Sequence, residues 1–355
     1  MIKKSYIKFV KALGAGKVTR NEPLRLHTSF RIGGKADLYF EAKTSKDMQK
    51  AVKQAHKLEI PFYVLGGGSN VLVSDAGYRG LIIRSSIKKI VLIGRTPPKS
   101  TSLTQVGVKR YEDYDKEFLM FSDLDYKDPP FDTKIIVGSG VSLAYLLNWS
   151  LENGLTGLEW FSGIPGSIGG AIYNNVHGGS RFFLSRVDKL RILTRKGRKK
   201  EVRTSGLKAD YDYIVLQKTG DIILEVEIVL SSQGNLDAAK RVVRLWRERK
   251  MQVQPQTNCP GCIFKNVSQA ERKKMGWPTT SVGYIFDRLL GWKGEVKVGK
   301  AEISEKHGNF IINKGGATAE EVISLMKKMK KEVKKRFGIK LEPEIQFVGF
   351  EKRPV

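Results

Sequence analysis

A glycine-rich stretch is the strongest constraint on this chain. Residues 160–175 read Trp-Phe-Ser-Gly-Ile-Pro-Gly-Ser-Ile-Gly-Gly-Ala-Ile-Tyr-Asn-Asn. Gly163, Gly166, Gly169 and Gly170 stand among apolar residues, too densely for the interior of a helix or a strand. Without a Cβ, glycine lets the backbone take positive φ and turn its N–H groups toward a ligand, most often an anion. A helix-like tail over 170–175 would add the positive end of a helix dipole at the same place. Taken alone, the stretch is equally a tight turn packed against a neighbour.

A second glycine loop shifts that balance. Gly66-Gly67-Gly68-Ser69-Asn70 follows an apolar run over 60–65 that predicts a buried strand, and a short apolar run over 71–73 comes after it. A strand that ends in consecutive glycines wraps backbone amides around a diphosphate. The glycine spacing is not the dinucleotide fingerprint, and no Gly-Lys-Ser or Gly-Lys-Thr follows as in a P-loop. Two such loops suggest one extended, phosphate-bearing ligand in a less common fold.

Five ordered segments carry a resemblance. They are Asn-Glu-Pro-Leu-Arg-Leu-His-Thr-Ser-Phe-Arg-Ile-Gly-Gly (21–34), Gly-Gly-Gly-Ser-Asn-Val-Leu-Val (66–73) and Gly-Ile-Pro-Gly-Ser-Ile-Gly-Gly-Ala (163–171), then Ser-Glu-Lys-His-Gly-Asn-Phe-Ile-Ile-Asn (304–313) and Leu-Glu-Pro-Glu-Ile (341–345). Together they resemble the UDP-N-acetylenolpyruvoylglucosamine reductase (MurB) family over nearly the whole chain. The resemblance implies an FAD-dependent, NADPH-using reduction of UDP-N-acetylglucosamine enolpyruvate to UDP-N-acetylmuramate, in peptidoglycan precursor synthesis. It implies an α+β fold: a two-lobed FAD-binding domain of the vanillyl-alcohol-oxidase/PCMH type and a C-terminal α+β substrate-binding domain. The expected division is 1–92 for the first lobe, 93–132 for an insertion, 133–233 for the second lobe and 234–355 for the last domain. Two further readings stay open, an FAD oxidoreductase of another substrate and a flavin-binding homologue without reductase activity.

Composition sets outer limits. The 355 residues suffice for two or three cores, and no run approaches the roughly 20 apolar residues of a membrane span. The N-terminus lacks the apolar region of a secretory signal, so the expected place is the cytoplasm, with the chain acting as a monomer. A formal charge of +27 raises the question of a polyanion partner. Lysine and arginine are interleaved with acids along the chain, however, so nucleic-acid binding is not expected. Cys259 and Cys262 form one Cys-Pro-Gly-Cys, and the four histidines lack ligand spacing, so no metal site is expected.

Periodicity places the main elements. A basic N-terminal helix presents Tyr6, Phe9, Val10 and Leu13 on one face; a helix capped at Ser45 buries Met48, Ala51, Val52 and Ala55. A helix capped at Ser142 runs through Leu143, Leu146 and Leu147, and another follows over 236–249. Thr318 and Glu321 make a capping box for a terminal helix that ends before Gly338.

The resemblance assigns roles residue by residue. FAD contacts fall on Gly66, Gly67, Gly68, Ser69, Asn70 and Gly138, and on Gly163, Ile164, Pro165, Gly166, Ser167, Gly169, Gly170 and Asn175. The proton donor, a serine in the family, matches Cys262. A thiol with an ordinary pKa of about 8.5 is a far stronger acid than a hydroxyl and suits the task. Glu344 matches the catalytic glutamate, while Lys265, Asn266 and Tyr284 lie in segments that contact the UDP-sugar. The chain departs from the family at Asp212, where members carry an arginine that polarises the enolpyruvyl carboxylate; Arg181 or Lys265 is a candidate replacement. His177 also departs from the pattern and reads either as a packing residue or as a flavin neighbour.

Overall fold

Side-chain periodicity and turn chemistry build two larger sheets that share part of one apolar core, and a third, smaller sheet in the C-terminal part. A computed structural model describes residues 3–95, 129–179 and 181–355; residues 96–128 of the expected insertion lie outside these. The first sheet runs Val18–Pro23, Lys35–Ala42, Tyr78–Ser85, Phe62–Leu65, antiparallel at its first pair and parallel at the next two. Helix Ser45–Lys57 crosses from Lys35–Ala42 to Phe62–Leu65 and buries Met48, Ala51, Val52 and Ala55. Helix Lys4–Leu13 adds Tyr6, Phe9 and Leu13 to the same core.

Two local expectations shift. The cap of Ser45–Lys57 is Thr44, one residue earlier, because its side chain accepts from Asp47 N while the Asp47 carboxylate takes the Thr44 N–H. The strand after Pro61 begins at Phe62 and is half-buried along most of its length, because Phe62, Tyr63 and Val64 face a cavity.

The second sheet is antiparallel throughout, in the order Lys199–Arg203, Val187–Leu193, Ile222–Leu230, Thr133–Gly138, Ile90–Arg95. Helix Leu143–Glu152, capped by Ser142, and the short helix Ile168–Tyr173 pack on it through Leu143, Leu146, Leu147, Ile168 and Ile172. Helix Leu236–Val253 leads out of this sheet, four residues longer than its apolar pattern predicts.

The last unit sets Lys297–Val298, Ala301–Ile303 and Ile311–Asn313 against helix Ala319–Phe337, whose capping box and left-handed Gly338 fall where the sequence puts them. Phe30, Ile32 and Leu72 from the N-terminal part join its core. The strand Gln346–Val348 then pairs in parallel with Val71–Val73, bringing the chain end back beside the first glycine loop.

Candidate active site

The two glycine loops interlock. A methyl on Gly67 would stand 2.7 Å from Gly166 Cα, and one on Gly66 would stand 2.6 Å from Ser167 Oγ, so only glycine permits this approach. Ser69 Oγ donates to Pro165 O at 3.1 Å, tying one loop to the other. The segment 21–34 supports the first loop from behind: Ser29 N donates to Gly68 O at 3.0 Å, and Ser29 Oγ to Cys259 O at 2.8 Å. Among the described residues, the N–H groups of Gly67, Gly68, Ser69, Asn70 and Ser167 have no protein acceptor. Backbone donors left open in a turn form a nest for phosphate oxygens.

These loops wall a cavity of about 330 Å³. Gly66 to Asn70, Ile164 to Ser167, Gly169 and Gly170 line it, and so do Cys262 and Glu344. Apolar wall comes from Tyr63, Val64, Ala171 and Val176. An amide nest beside an apolar slot fits FAD, which joins a diphosphate to a flat ring system. Gly138, Gly163 and Asn175 lie outside the wall. Gly138 is a packing glycine on the backbone of Ile87, Gly163 takes φ 73° against the Lys250 stem, and Asn175 is buried with its Nδ2 donating to Asp210 O at 2.8 Å. The sequence reading missed Arg195, which also lines the cavity, and the buried pair Ser85 and Ser139, whose Oγ atoms stand 2.7 Å apart. The second serine follows Gly138 directly, the one signal that pointed nearby.

A second, more polar cavity of about 400 Å³ adjoins the first. Lys265, Glu342 and Arg353 line it, and Tyr173, Asp212, Glu344 and Gln346 belong to both cavities. Lys265 is therefore placed at this wall, while Asn266 and Tyr284 are not. Asn266 Oδ1 accepts from Val282 N at 3.4 Å, and Tyr284 packs on the C-terminal core. Arg181 stacks over Trp160, 4.2 Å from the ring, and lines neither cavity. His177 also lies off both walls, against the rings of Phe182 and Tyr211.

A short ladder of backbone bonds brings Cys262 and Glu344 together. Glu344 N donates to Ile263 O and Lys265 N to Glu342 O, each at 2.9 Å, while Ile263 N donates to Asn309 O at 2.8 Å. Cys262 and Glu344 are thus held on neighbouring, mutually bonded stretches of backbone. Burial pushes the Cys262 thiol well above its ordinary value, and Glu344, Asp212 and Cys259 add to the rise. Burial likewise raises Glu344, with Asp212 adding and Lys265 opposing. Asp212 is raised to about 7 by burial, against the pull of Lys265 and a hydrogen bond from Tyr211. All three groups are thus shifted toward their protonated forms, the direction that proton donation demands.

Residues 36–109 and 124–203 match the profile described as an FAD binding domain, and 252–348 match that of the UDP-N-acetylenolpyruvoylglucosamine reductase C-terminal domain. The reductase of Caldanaerobacter subterraneus is 31% identical over 347 residues, covering 96% of this chain and 97% of that protein. The crystal structure of the MurB reductase from Thermus caldophilus superposes with TM-score 0.66 at 25% identity, covering 94% of this chain and 98% of that one. A VAO-type flavoprotein from Myceliophthora thermophila shares the fold at TM-score 0.51 and 11% identity, over 94% of this chain and 85% of that one. Fold and site together define an FAD-dependent oxidoreductase that shares the fold of a VAO-type flavoprotein and carries a C-terminal domain with a profile of its own. Within that class, the chain belongs to the UDP-N-acetylenolpyruvoylglucosamine reductase (MurB) family. It is an enzyme of peptidoglycan synthesis that uses FAD, with NADPH as the reductant. Among the described residues, no helix is long and apolar enough to cross a membrane.

Proposed function

We propose that Cys262 is the proton donor and Glu344 its partner in reducing UDP-N-acetylglucosamine enolpyruvate at the junction of the two cavities. The observation that carries this is the convergence of Cys262, Glu344 and both glycine loops on one cavity wall. FAD, when bound there, would supply hydride-transfer chemistry between NADPH and the substrate alkene. The chain does the rest. The open amides of 67–70 and of Ser167 bind the FAD diphosphate, and the wall from Tyr63 to Val176 excludes water from the ring.

Cys262 Sγ, kept protonated by burial, gives its proton to the other alkene carbon. Glu344, whose hold on a proton burial strengthens, meets the charge that grows on the enolpyruvyl carboxylate in the transition state. Lys265 gives positive charge to the polar cavity, where the UDP-sugar would lie. We assign the two FAD lobes to 1–92 and 133–233 and the substrate domain to 234–355, with Ile90–Arg95 lending an edge strand to the second lobe. The reading takes the enzyme as a cytoplasmic monomer whose basic surface has no nucleic-acid partner.

The test is steady-state NADPH oxidation by the purified, FAD-loaded protein. Oxidation that depends on UDP-N-acetylglucosamine enolpyruvate supports the assignment. Oxidation indifferent to that compound, or absent in its presence, rejects it.

A further inference from the structure

Asp212 occupies the position where the family resemblance leads one to expect an arginine, and the structure gives it an unusual setting. Ala209–Asp210 pairs with Tyr213–Ile214 in a two-stranded hairpin, leaving Tyr211 and Asp212 as its turn. Asp212 takes φ 50°, a left-handed conformation that aspartate, asparagine and glycine tolerate and arginine rarely adopts. Gln217 Nε2 donates to Asp212 O at 3.1 Å and to Tyr173 O at 2.7 Å, pinning the turn to the helix that follows the second glycine loop. The turn therefore delivers a carboxyl group to the line where the flavin cavity and the polar cavity meet.

The surroundings decide what that carboxyl does. Asp212 Oδ2 is buried with no hydrogen-bond partner, while Tyr211 bonds the carboxyl. Glu344 and Cys262 line the same cavity and feel the Asp212 charge, Lys265 is the cation acting on Asp212, and Arg195 lines the cavity with the glycine loops. Asp212 and Glu344 line the same cavity, and like charges there repel, which favours keeping a proton on the pair. An orphaned acceptor becomes a donor as soon as that proton sits on it.

We propose that Asp212 acts as a neutral acid: its protonated Oδ2 donates a hydrogen bond to the enolpyruvyl carboxylate, Glu344 shares the proton, and Lys265 supplies the charge that a guanidinium would bring. Acid and lysine together thus perform the orienting task on one carboxylate. The inference rests on the substrate assignment made above, deepening it at one residue.

Binding to the oxidised, FAD-loaded enzyme tests this, read as the change in flavin absorbance on adding UDP-N-acetylglucosamine enolpyruvate across pH 5.5–9. Wild-type affinity should fall as pH rises through about 7, the value to which burial lifts Asp212. Asp212→Asn carries a fixed donor and tolerates the turn, so its affinity should lose that pH dependence. Asp212→Gly keeps the turn without a donor and should bind roughly 10- to 100-fold more weakly at pH 6, the worth of a hydrogen bond to a charged group. A pH profile in Asp212→Asn that matches wild type, or Asp212→Gly binding as tightly as wild type, overturns the proposal. The protonated-carboxyl band in the infrared spectrum at pH 6.5 separates the two claims. If wild type binds no UDP-sugar at any pH, the substrate reading fails, and with it the donor role. A band that weakens in Asp212→Asn then still shows the proton on Asp212, and an unchanged band removes that as well.

Discussion

His177 shows how a single half-buried group reports on the fold without lining the cavities. Burial lowers it to about 4, with nearby Lys250 adding to the fall, and Gly179 O faces its Nδ1 at 3.3 Å. An imidazole whose folded pKa lies below its unfolded value favours the native state fully above pH 6.5. That contribution is lost as pH falls toward and through 4. Removing the imidazole should therefore flatten part of the acid limb of stability. The unfolding free energy of wild type minus that of His177→Gln should decline by about 3 kcal/mol between pH 7 and pH 4, at 1.36 kcal/mol per pKa unit. Taking the difference isolates His177 from His307, which burial also lowers to about 4, and from the raised carboxyls Asp212, Glu344 and Asp287, which act in the opposite sense. A difference independent of pH would contradict a ring held neutral by its surroundings. Nothing in the sequence fixes this, since the reading of a loop histidine depends on Phe182, Tyr211 and Lys250, which only the fold brings together.

At the scale of elements, the two glycine loops act as one part. Gly67 meets Gly166 backbone, Gly66 meets Ser167, and Ser69 bonds Pro165. Gly67→Ala would force the loops apart against backbone, which cannot swing away as a side-chain tip can. FAD content after purification should fall at least tenfold in Gly67→Ala. The remote change Gly16→Ala, whose new methyl meets nothing within 4 Å, should leave it as in wild type. Full FAD occupancy in Gly67→Ala would show that the loops do not hold the diphosphate. The loops were legible because glycine density has few structural meanings, and helix Ala319–Phe337 was legible because its cap, stripe and Gly338 agree. The cap of Ser45–Lys57 slipped by one residue because Thr44 and Ser45 are both competent caps; the reciprocal bond from Asp47 chose between them. The resemblance assigned Gly138 and Gly163 to FAD, whereas in the structure they lie off the cavity wall, packed against Ile87 and Lys250.

The whole molecule makes its site by closing the chain on itself. Strand Gln346–Val348 pairs with Val71–Val73, Asn313 Nδ2 donates to Phe30 O at 3.0 Å, and Phe30 and Ile32 lie in the core of the C-terminal unit. Glu344 thereby reaches a cavity whose glycine loop lies more than 270 residues earlier, a juxtaposition no local pattern announces. Only the family resemblance put Cys262 and Glu344 together in advance. The cavity junction formed by Tyr173, Asp212, Glu344 and Gln346 came from the structure alone.

The central claim is that Cys262 gives the proton inside this shared cavity, and anaerobic single-turnover kinetics test it most directly. NADPH should bleach the flavin of wild type, Cys262→Ser and Cys262→Ala at similar rates, since Cys262 has no part in that half-reaction. On adding UDP-N-acetylglucosamine enolpyruvate, reoxidation should slow by about 10²- to 10⁴-fold in Cys262→Ala, the span of a lost general acid, and recover substantially in Cys262→Ser. Reoxidation in Cys262→Ala as fast as in wild type would contradict the account.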